Sequence, residues 1–297
     1  MRILFITATR IGDAVLSTGV LNELHRRHPD AAITVACGPL AVSLFKRFPG
    51  VVDVIALAKR PFAAHWVSLW RRVRQVRWDL VVDLRRSLIP YFVRAARRHR
   101  LGPTDPARHR AEFLPTVLGI DHALEPIIPG LAVDSGATAE LIAIAPMAAR
   151  ADKTWPIDRY VELTRRLLAG PCAGLRVGVV AGPYEDHVVA PFTALGSSQI
   201  VPMVGNPDLM EVAAALARCR LFVGNDSGIS HLAAAVGTPT LALFGPTEPA
   251  NYAPRGRCAR VVRAPRRNGL PAMADLTIDA VMAAAMEVVA LSTRARY

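Results

Sequence analysis

The stretch "FVGNDSGISHLAAAVGTPTLALFGPTEP" (222–249) passes from an apolar run through a tight turn into a helical pattern, then out again into a second apolar run. The first strand ends at Asn225, and the small residues Ser227 and Gly228 make the turn. Backbone N–H groups at a helix start lack partners inside the helix, and a glycine lets a ligand approach them closely. The turn is therefore an anion site suited to a diphosphate. His231 falls in the first helical turn, where its ring can donate to a phosphate oxygen; the alternative is a structural histidine satisfied by its surroundings. Asp226 reads as a cap on the free N–H groups of the helix, a role compatible with shaping the phosphate turn. Thr247 and Glu248, in "FGPTEP" (244–249), end the next strand in the same layer of loops.

The same alternation extends outward. "LIAIAP" (141–146), "LRVGVVAG" (175–182) and "QIVPMVG" (199–205) read as strands, separated by helical patterns near 157–169, 186–195 and 208–218. In the first half, "RILFITA" (2–8), "AAITVAC" (31–37), "VVDVIAL" (51–57) and "WDLVVDL" (78–84) repeat the strand signal. A helix follows the first of them, with Val15, Leu16, Val20, Leu21 and Leu24 on one side. Apolar strands alternating with helices imply parallel sheets covered on both faces. Periodicity fades over 101–136, where prolines and glycines recur. The expected division is an N-terminal Rossmann-like domain over 1–137 and a C-terminal one over 138–297. The closing "LTIDAVMAAAMEVVALSTRARY" (276–297) is expected as one helix, with packing back across the first domain as an option. Two such domains place a cleft between the carboxyl ends of their strands, where ligands of open α/β sheets bind.

A chain of 297 residues with 52% hydrophobic content is long enough for two domains that each bury a core. The opening "MRILFITATRIGD" lacks the features of a signal peptide, and no stretch approaches the ~20 apolar residues that cross a bilayer. A soluble, cytoplasmic protein is expected. Cys37, Cys172, Cys219 and Cys258 are far apart and form no CxxC pair, which argues for free thiols over zinc or a disulfide framework. The net charge of +12 is concentrated: from Lys59 to Arg110 fourteen Lys/Arg face only Asp79, Asp83 and Asp105. That segment is expected to meet something anionic.

Residues 222–249 resemble the donor-site signature of glycosyltransferase family 9, the bacterial lipopolysaccharide heptosyltransferases, in which D-[ST]-G-x-x-H-[LI]-x-A-A precedes a strand and an F-G-x-T-x-P loop. "ATRIGDAVLSTGVLNELHRRHPDAAITV" (8–35) is similar to a second family signature, and "PMAARADKTWPIDRY" (146–160) to a third, in which K-x-W-P opens the first helix of the second domain. The resemblance implies the GT-B fold: two Rossmann-like domains, the nucleotide sugar on the C-terminal one, the acceptor on the N-terminal one, and no metal or other cofactor. It also implies the donor type, ADP-heptose, and an acceptor among the Kdo or heptose sugars of the lipopolysaccharide inner core. Lys153 matches the family's phosphate-contacting lysine, and Glu185 its ribose-binding acid, with Asp186 beside it as the alternative. Ala148 and Ala149 depart from the family pattern, which often has hydroxyl residues ahead of the lysine; this leaves the donor sugar open.

Asp13 beside the lone Gly12 is unsuited to a phosphate turn, because its carboxylate would repel the ligand. With the nucleotide on the other domain, Asp13 becomes the base that takes the acceptor's proton in an inverting transfer; the alternative is an N-cap of the following helix. The leaving diphosphate gathers negative charge, which Lys153 and the N–H groups around Ser227 and Gly228 would offset.

Within "HWVSLWRRVRQVRWDL" (65–80), Trp66, Leu69, Trp70, Val73 and Val76 form an apolar stripe, with Arg71, Arg72 and Arg74 off it. This is an ordinary amphipathic helix with a solvated basic face or one that sits at an anionic membrane surface. Arg60, Arg71, Arg72, Arg85 and Arg86 are therefore candidate contacts for an anionic glycolipid acceptor or for the inner face of the inner membrane. A nucleic-acid-binding protein would explain only the charge; no nucleic-acid module is recognisable, and no nucleic-acid partner is expected. A Rossmann oxidoreductase or epimerase is disfavoured because "ATRIGD" replaces the GxGxxG fingerprint.

Overall fold

Ile3, Leu4, Phe5 and Ile6 are all fully buried, so the strand that carries them, β1 (Arg2–Ile6), is covered on both faces. In the computed structural model, which describes residues 1–103, 105–131, 140–182, 185–203, 208–266, 269 and 271–294, the chain divides into two compact units, Met1–Gly130 and Leu131–Tyr297.

In the first unit β1 is followed by α1 (Ile11–Arg27), β2 (Ala32–Cys37), α2 (Val42–Lys46), β3 (Val51–Ala56), α3 (Ala64–Val73), β4 (Arg77–Asp83), β5 (Arg94–Arg100) and α4 (Arg110–Phe113). The sheet is parallel, in the order β3-β2-β1-β4-β5. Alternation along β1 sends Ile3 and Phe5 to the face packed by Leu16, Val20, Leu21 and Leu24 of α1. Leu4 and Ile6 go to the opposite face, covered by Leu69 and Val73 of α3. α3 ends at Val73, so Val76 falls outside the helix, and Trp66 and Trp70 remain half-exposed.

No strand signal in the sequence marks β5. Its sequence, RAARRHR, has no apolar alternation because the strand lies at the sheet's edge, where arginine side chains stay in solvent.

The second unit contains β6 (Leu141–Ala145), α5 (Ile157–Leu168), β7 (Arg176–Val180), α6 (Ala190–Thr193), β8 (Ile200–Met203), α7 (Leu209–Ala217), β9 (Cys219–Asn225), α8 (Gly228–Ala235), β10 (Thr240–Phe244), α9 (Pro249–Tyr252), β11 (Ala259–Arg263) and α10 (Ile278–Arg294). The order is β11-β10-β9-β6-β7-β8, with all pairings parallel. One face buries Ile142, Val177, Leu221 and Leu241 beneath Tyr160, Leu163 and Leu167 of α5. Val281, Ala285, Val288 and Val289 of α10 join that same core, so the closing helix packs on its own unit's sheet.

The helix expected over 186–195 is interrupted: a single turn over Asp186–Val188 is followed by the four-residue α6, whose second residue is Pro191. A proline lacks the N–H that would continue the earlier turn. The edge strand β11, ARVVR, likewise carries no clear strand signal in the sequence.

Cys37, Cys172 and Cys219 are buried and Cys258 half-buried, and all four are free. Burial pushes the Cys37 and Cys219 thiols up to about 12.

Candidate active site

In each sheet the direction of chain progression reverses beside one strand, which leaves a crevice at the carboxyl ends. In the first unit this point lies between β1 and β4, and the turns after these strands form a cavity of about 340 Å³. Thr9, Arg10 and Asp13 line it from one turn, and Arg85 and Arg86 from the other. Lys59, Arg110 and others close it.

Asp13 does not cap α1. The N-cap is Arg10, in an extended conformation without a side-chain cap, and Asp13 is the third helical residue. A carboxylate in the first turn meets the positive end of the helix dipole, so the chain's own side chain occupies the place a phosphate would take. Asp13 Oδ1 lies 3.4 Å from Arg110 Nε, with the two side chains 29% and 20% exposed. The carboxylate is thus oriented while remaining open to the cavity.

Gly38 shapes the turn from behind: a Cβ there would come within 2.4 Å of the Thr9 carbonyl oxygen. The facing turn is pinned by the buried Asp83, which accepts from Arg85 N–H (2.8 Å) and from Ser87 Oγ (2.8 Å). Burial pushes its carboxyl up from the usual aspartate value. Arg85 donates to Thr9 Oγ1 at 3.1 Å, joining the two turns.

Arg86 adopts a left-handed backbone (φ 56°), a conformation disfavoured for a side chain with a Cβ. Arg86→Gly is expected to raise the free energy of unfolding by a net of about 0.5–1 kcal/mol, once glycine's larger unfolded-state entropy is subtracted, and so to raise the urea midpoint. The same change removes a guanidinium from the cavity lining and should weaken binding of an anion there. A fall in the midpoint would show that the backbone is not strained there.

The arginines predicted from sequence separate into two sets. Arg85 and Arg86 line the cavity; Arg72 pairs with Asp53 (3.1 Å), and Arg60 and Arg71 are exposed and not among the lining residues. Arg10, Lys59 and Arg110 line the cavity without having been predicted.

In the second unit the reversal lies between β6 and β9, where the turn over 146–153 meets the start of α8. Lys153 Nζ donates to Asp226 Oδ2 at 2.7 Å, and Thr247 Oγ1 donates to the same oxygen at 2.7 Å. Lys153 is 19% exposed and Asp226 9%. The capping role expected of Asp226 is not seen: the N-cap of α8 is Ser227, with no side-chain cap bond, and the Asp226 carboxylate is taken by Lys153 and Thr247. Ser227 Oγ is buried without a hydrogen-bond partner among the described residues, next to the free N–H groups of the helix start. A buried hydroxyl left in this way is the condition an anionic ligand would relieve.

His231 is buried in the first turn of α8. Glu185 turns back to accept from Gly182 N–H at 2.6 Å, and the side chain of Asp186 lies outside the described residues. Glu248 pairs with Arg263 (2.9 Å). Ala148 is half-buried and Ala149 exposed at the mouth of the same turn.

Asn225 carries the most local structure and was not singled out from sequence. Fully buried at the end of β9, it donates through Nδ2 to the Pro146 carbonyl (2.8 Å). Its Oδ1 accepts from Trp155 N–H (3.0 Å) and Tyr160 O–H (2.9 Å). Burial pushes the Tyr160 phenol well up, which keeps it a donor. Lys153 is two residues from Trp155, so Asn225 sets where the lysine can reach. Gly245 lets the same turn approach, since a Cβ there would lie 2.8 Å from Met273 Sδ and 3.3 Å from the Asp152 carbonyl oxygen. Asn225→Ala leaves several buried polar groups unpaired and is expected to cost about 3 kcal/mol. Chemical denaturation measures it, and a loss below ~1 kcal/mol would mean that water replaces the amide.

Residues 120–278 match the model of glycosyltransferase family 9 (heptosyltransferase). The chain belongs to this family. It is 28% identical to lipopolysaccharide heptosyltransferase 2 of Salmonella typhimurium, over 89% of this chain and 88% of the relative. Over 119 residues, 40% of this chain and 36% of the relative, it is 35% identical to lipopolysaccharide heptosyltransferase 1 of Escherichia coli. The solved ADP-heptose lps heptosyltransferase II of E. coli superposes with a TM-score of 0.81 at 23% identity, covering 100% of both chains. The family 9 glycosyl transferase of Veillonella parvula gives 0.80 at 20% identity, covering 97% of each. This family 9 chain is thus a glycosyltransferase with the GT-B fold. Among its described residues no group of three or more His, Cys, Asp or Glu is placed to hold a metal ion, and no helix is long and apolar enough to cross a membrane.

Proposed function

We propose that the chain transfers heptose from ADP-heptose to an inner-core sugar of lipopolysaccharide, with inversion and without a metal. The second unit binds the donor and the first the acceptor. The observation that carries this reading is the Lys153–Asp226–Thr247 cluster at the start of α8, which assembles a cation, an unpaired buried hydroxyl and free N–H groups in one place. The names of the relatives support the sugar and the acceptor.

The acceptor hydroxyl oxygen attacks the anomeric carbon as its proton passes to the Asp13 carboxylate. The bond from that carbon to the distal phosphate oxygen breaks, and ADP leaves with the electron pair. A single displacement from the opposite face inverts the anomeric centre. Lys153 and the N–H groups of α8 offset the charge gathering on the pyrophosphate. The Asp226 carboxylate, engaged at Oδ2 by the Lys153 ammonium and the Thr247 hydroxyl, holds the lysine in position. Arg85, Arg86, Arg10 and Lys59 give the acceptor side the charge that suits Kdo carboxylates or lipid phosphates.

The test is transfer to a Kdo-bearing lipid acceptor with ADP-heptose, and with UDP- and GDP-sugars in parallel, with and without chelator. ADP-heptose should be used preferentially and at an unchanged rate after chelation. Preference for another nucleotide, the outcome that Ala148 and Ala149 would explain, overturns the donor; loss of rate with chelator overturns the metal-free route.

A further inference from the structure

A second cavity, of about 570 Å³, adjoins the Asp13 cavity in the first unit and shares Arg85 and Arg86 with it. Its walls are apolar: Trp66, Val67 and Trp70 from α3 face Leu88, Ile89 and Phe92 from the turn after β4. The groove is built rather than incidental. Trp70 Nε1 donates to the Phe92 carbonyl at 2.9 Å, tying helix to turn. Arg98 donates to the Pro90 and Val93 carbonyls, and Arg100 to those of Arg86 and Ser87, which holds the turn against β5.

Yet this fixed structure leaves Leu88, Tyr91, Phe92 and Val67 exposed to solvent, together with Phe62, which is fully exposed with φ 50° just ahead of α3. Large apolar side chains held rigidly in water mark a contact surface. The charge around them identifies the occupant. Arg74 lies over the Trp70 ring (4.8 Å) and Arg85 over that of Trp66 (5.7 Å), while Arg71 is exposed on the same helix. Between residues 54 and 104 the only acids are Asp79 and Asp83, one bonded to the Arg2 N–H and the other buried. A second copy of the chain would bring like charges together. Aromatic residues interleaved with arginines are the composition that settles at the headgroup level of a bilayer.

We infer that this groove docks the chain on an anionic phospholipid bilayer, with the aromatic wall entering the headgroup region and the arginines on lipid phosphates. This rests on the first unit alone and stands or falls independently of the transfer reaction. It would place the Asp13 cavity beside the lipid surface from which a glycolipid acceptor projects.

The test uses vesicles of phosphatidylcholine with and without phosphatidylglycerol, read by co-sedimentation and by tryptophan emission. Trp78 and Trp155 are buried, so a spectral change reports Trp66 and Trp70. The full chain should bind the anionic vesicles at least about tenfold more tightly than the neutral ones, more weakly at high salt, with a blue shift. The variant Phe62→Ser/Leu88→Ser/Phe92→Ser should lose at least about tenfold in partitioning while ADP affinity, measured as a control of folding, is unchanged. Brominated phosphatidylglycerol should quench the wild-type emission, a measurement that does not depend on the variant. Absence of binding, absence of quenching, an unaffected triple variant, or a wild-type dimer in sedimentation that the variant dissociates would overturn the inference.

Discussion

Asp13→Asn is expected to lower the rate of sugar transfer by about a thousandfold while leaving ADP affinity unchanged. The exchange is isosteric and keeps the third position of α1, so the fold loses little: a partly exposed ion pair with Arg110 and a favourable charge at a helix start, each worth at most about 1 kcal/mol. What disappears is the only carboxylate among the lining residues of the first unit's cavity, and with it the group proposed to take the acceptor's proton. Single-turnover kinetics measures the loss, and calorimetry with ADP supplies the control, since every donor contact proposed here belongs to the second unit. A fall in ADP affinity would show that the assignment of ligands to units is reversed.

Lys153→Ala is expected to weaken ADP binding by about a hundredfold, more than the loss of one contact alone would produce. Removing the ammonium deletes the cation proposed for the pyrophosphate and also leaves the largely buried Asp226 carboxylate uncompensated, so that it would repel that ligand. The second effect can be isolated. Lys153→Ala/Asp226→Asn should recover part of the affinity, because the amide removes the repulsion and can still accept from Thr247 Oγ1. Calorimetry of the single and double variants gives the coupling. If the double variant binds no better than Lys153→Ala, Asp226 acts on the nucleotide directly and not through the lysine.

The central strands and the principal helices were legible in the sequence because burial on both faces leaves an unmistakable apolar run, as in RILFI and LIAIA. The edges were not. β5 and β11 meet one neighbour each, so arginine is tolerated where a central strand would require valine. Asp13, Asp226 and Thr247 followed from strand ends and turn chemistry and Lys153 from the family resemblance, but their partners did not. Asp226 precedes a helix in the manner of a cap, and only the return of the 146–153 turn, seventy-three residues earlier in the chain, reveals that a lysine claims it. Asn225 looked like the end of a strand; its three hydrogen bonds come from residues more than sixty positions away. Arg110 gave no local signal at all, since it reaches Asp13 from a four-residue helix inside a stretch that reads as loop.

The arginine-rich rim of the first sheet has a bearing on how the chain behaves in a crowded solution. An open strand is an invitation to stack with a neighbour, and successive additions along such a seam make a fibril. Here any molecule offering its own β5 would set guanidinium groups against guanidinium groups, so self-stacking is discouraged by the same charge that keeps the strand wet. Exchanging Arg94 and Arg97 for threonine would turn that guarded border into an adhesive one.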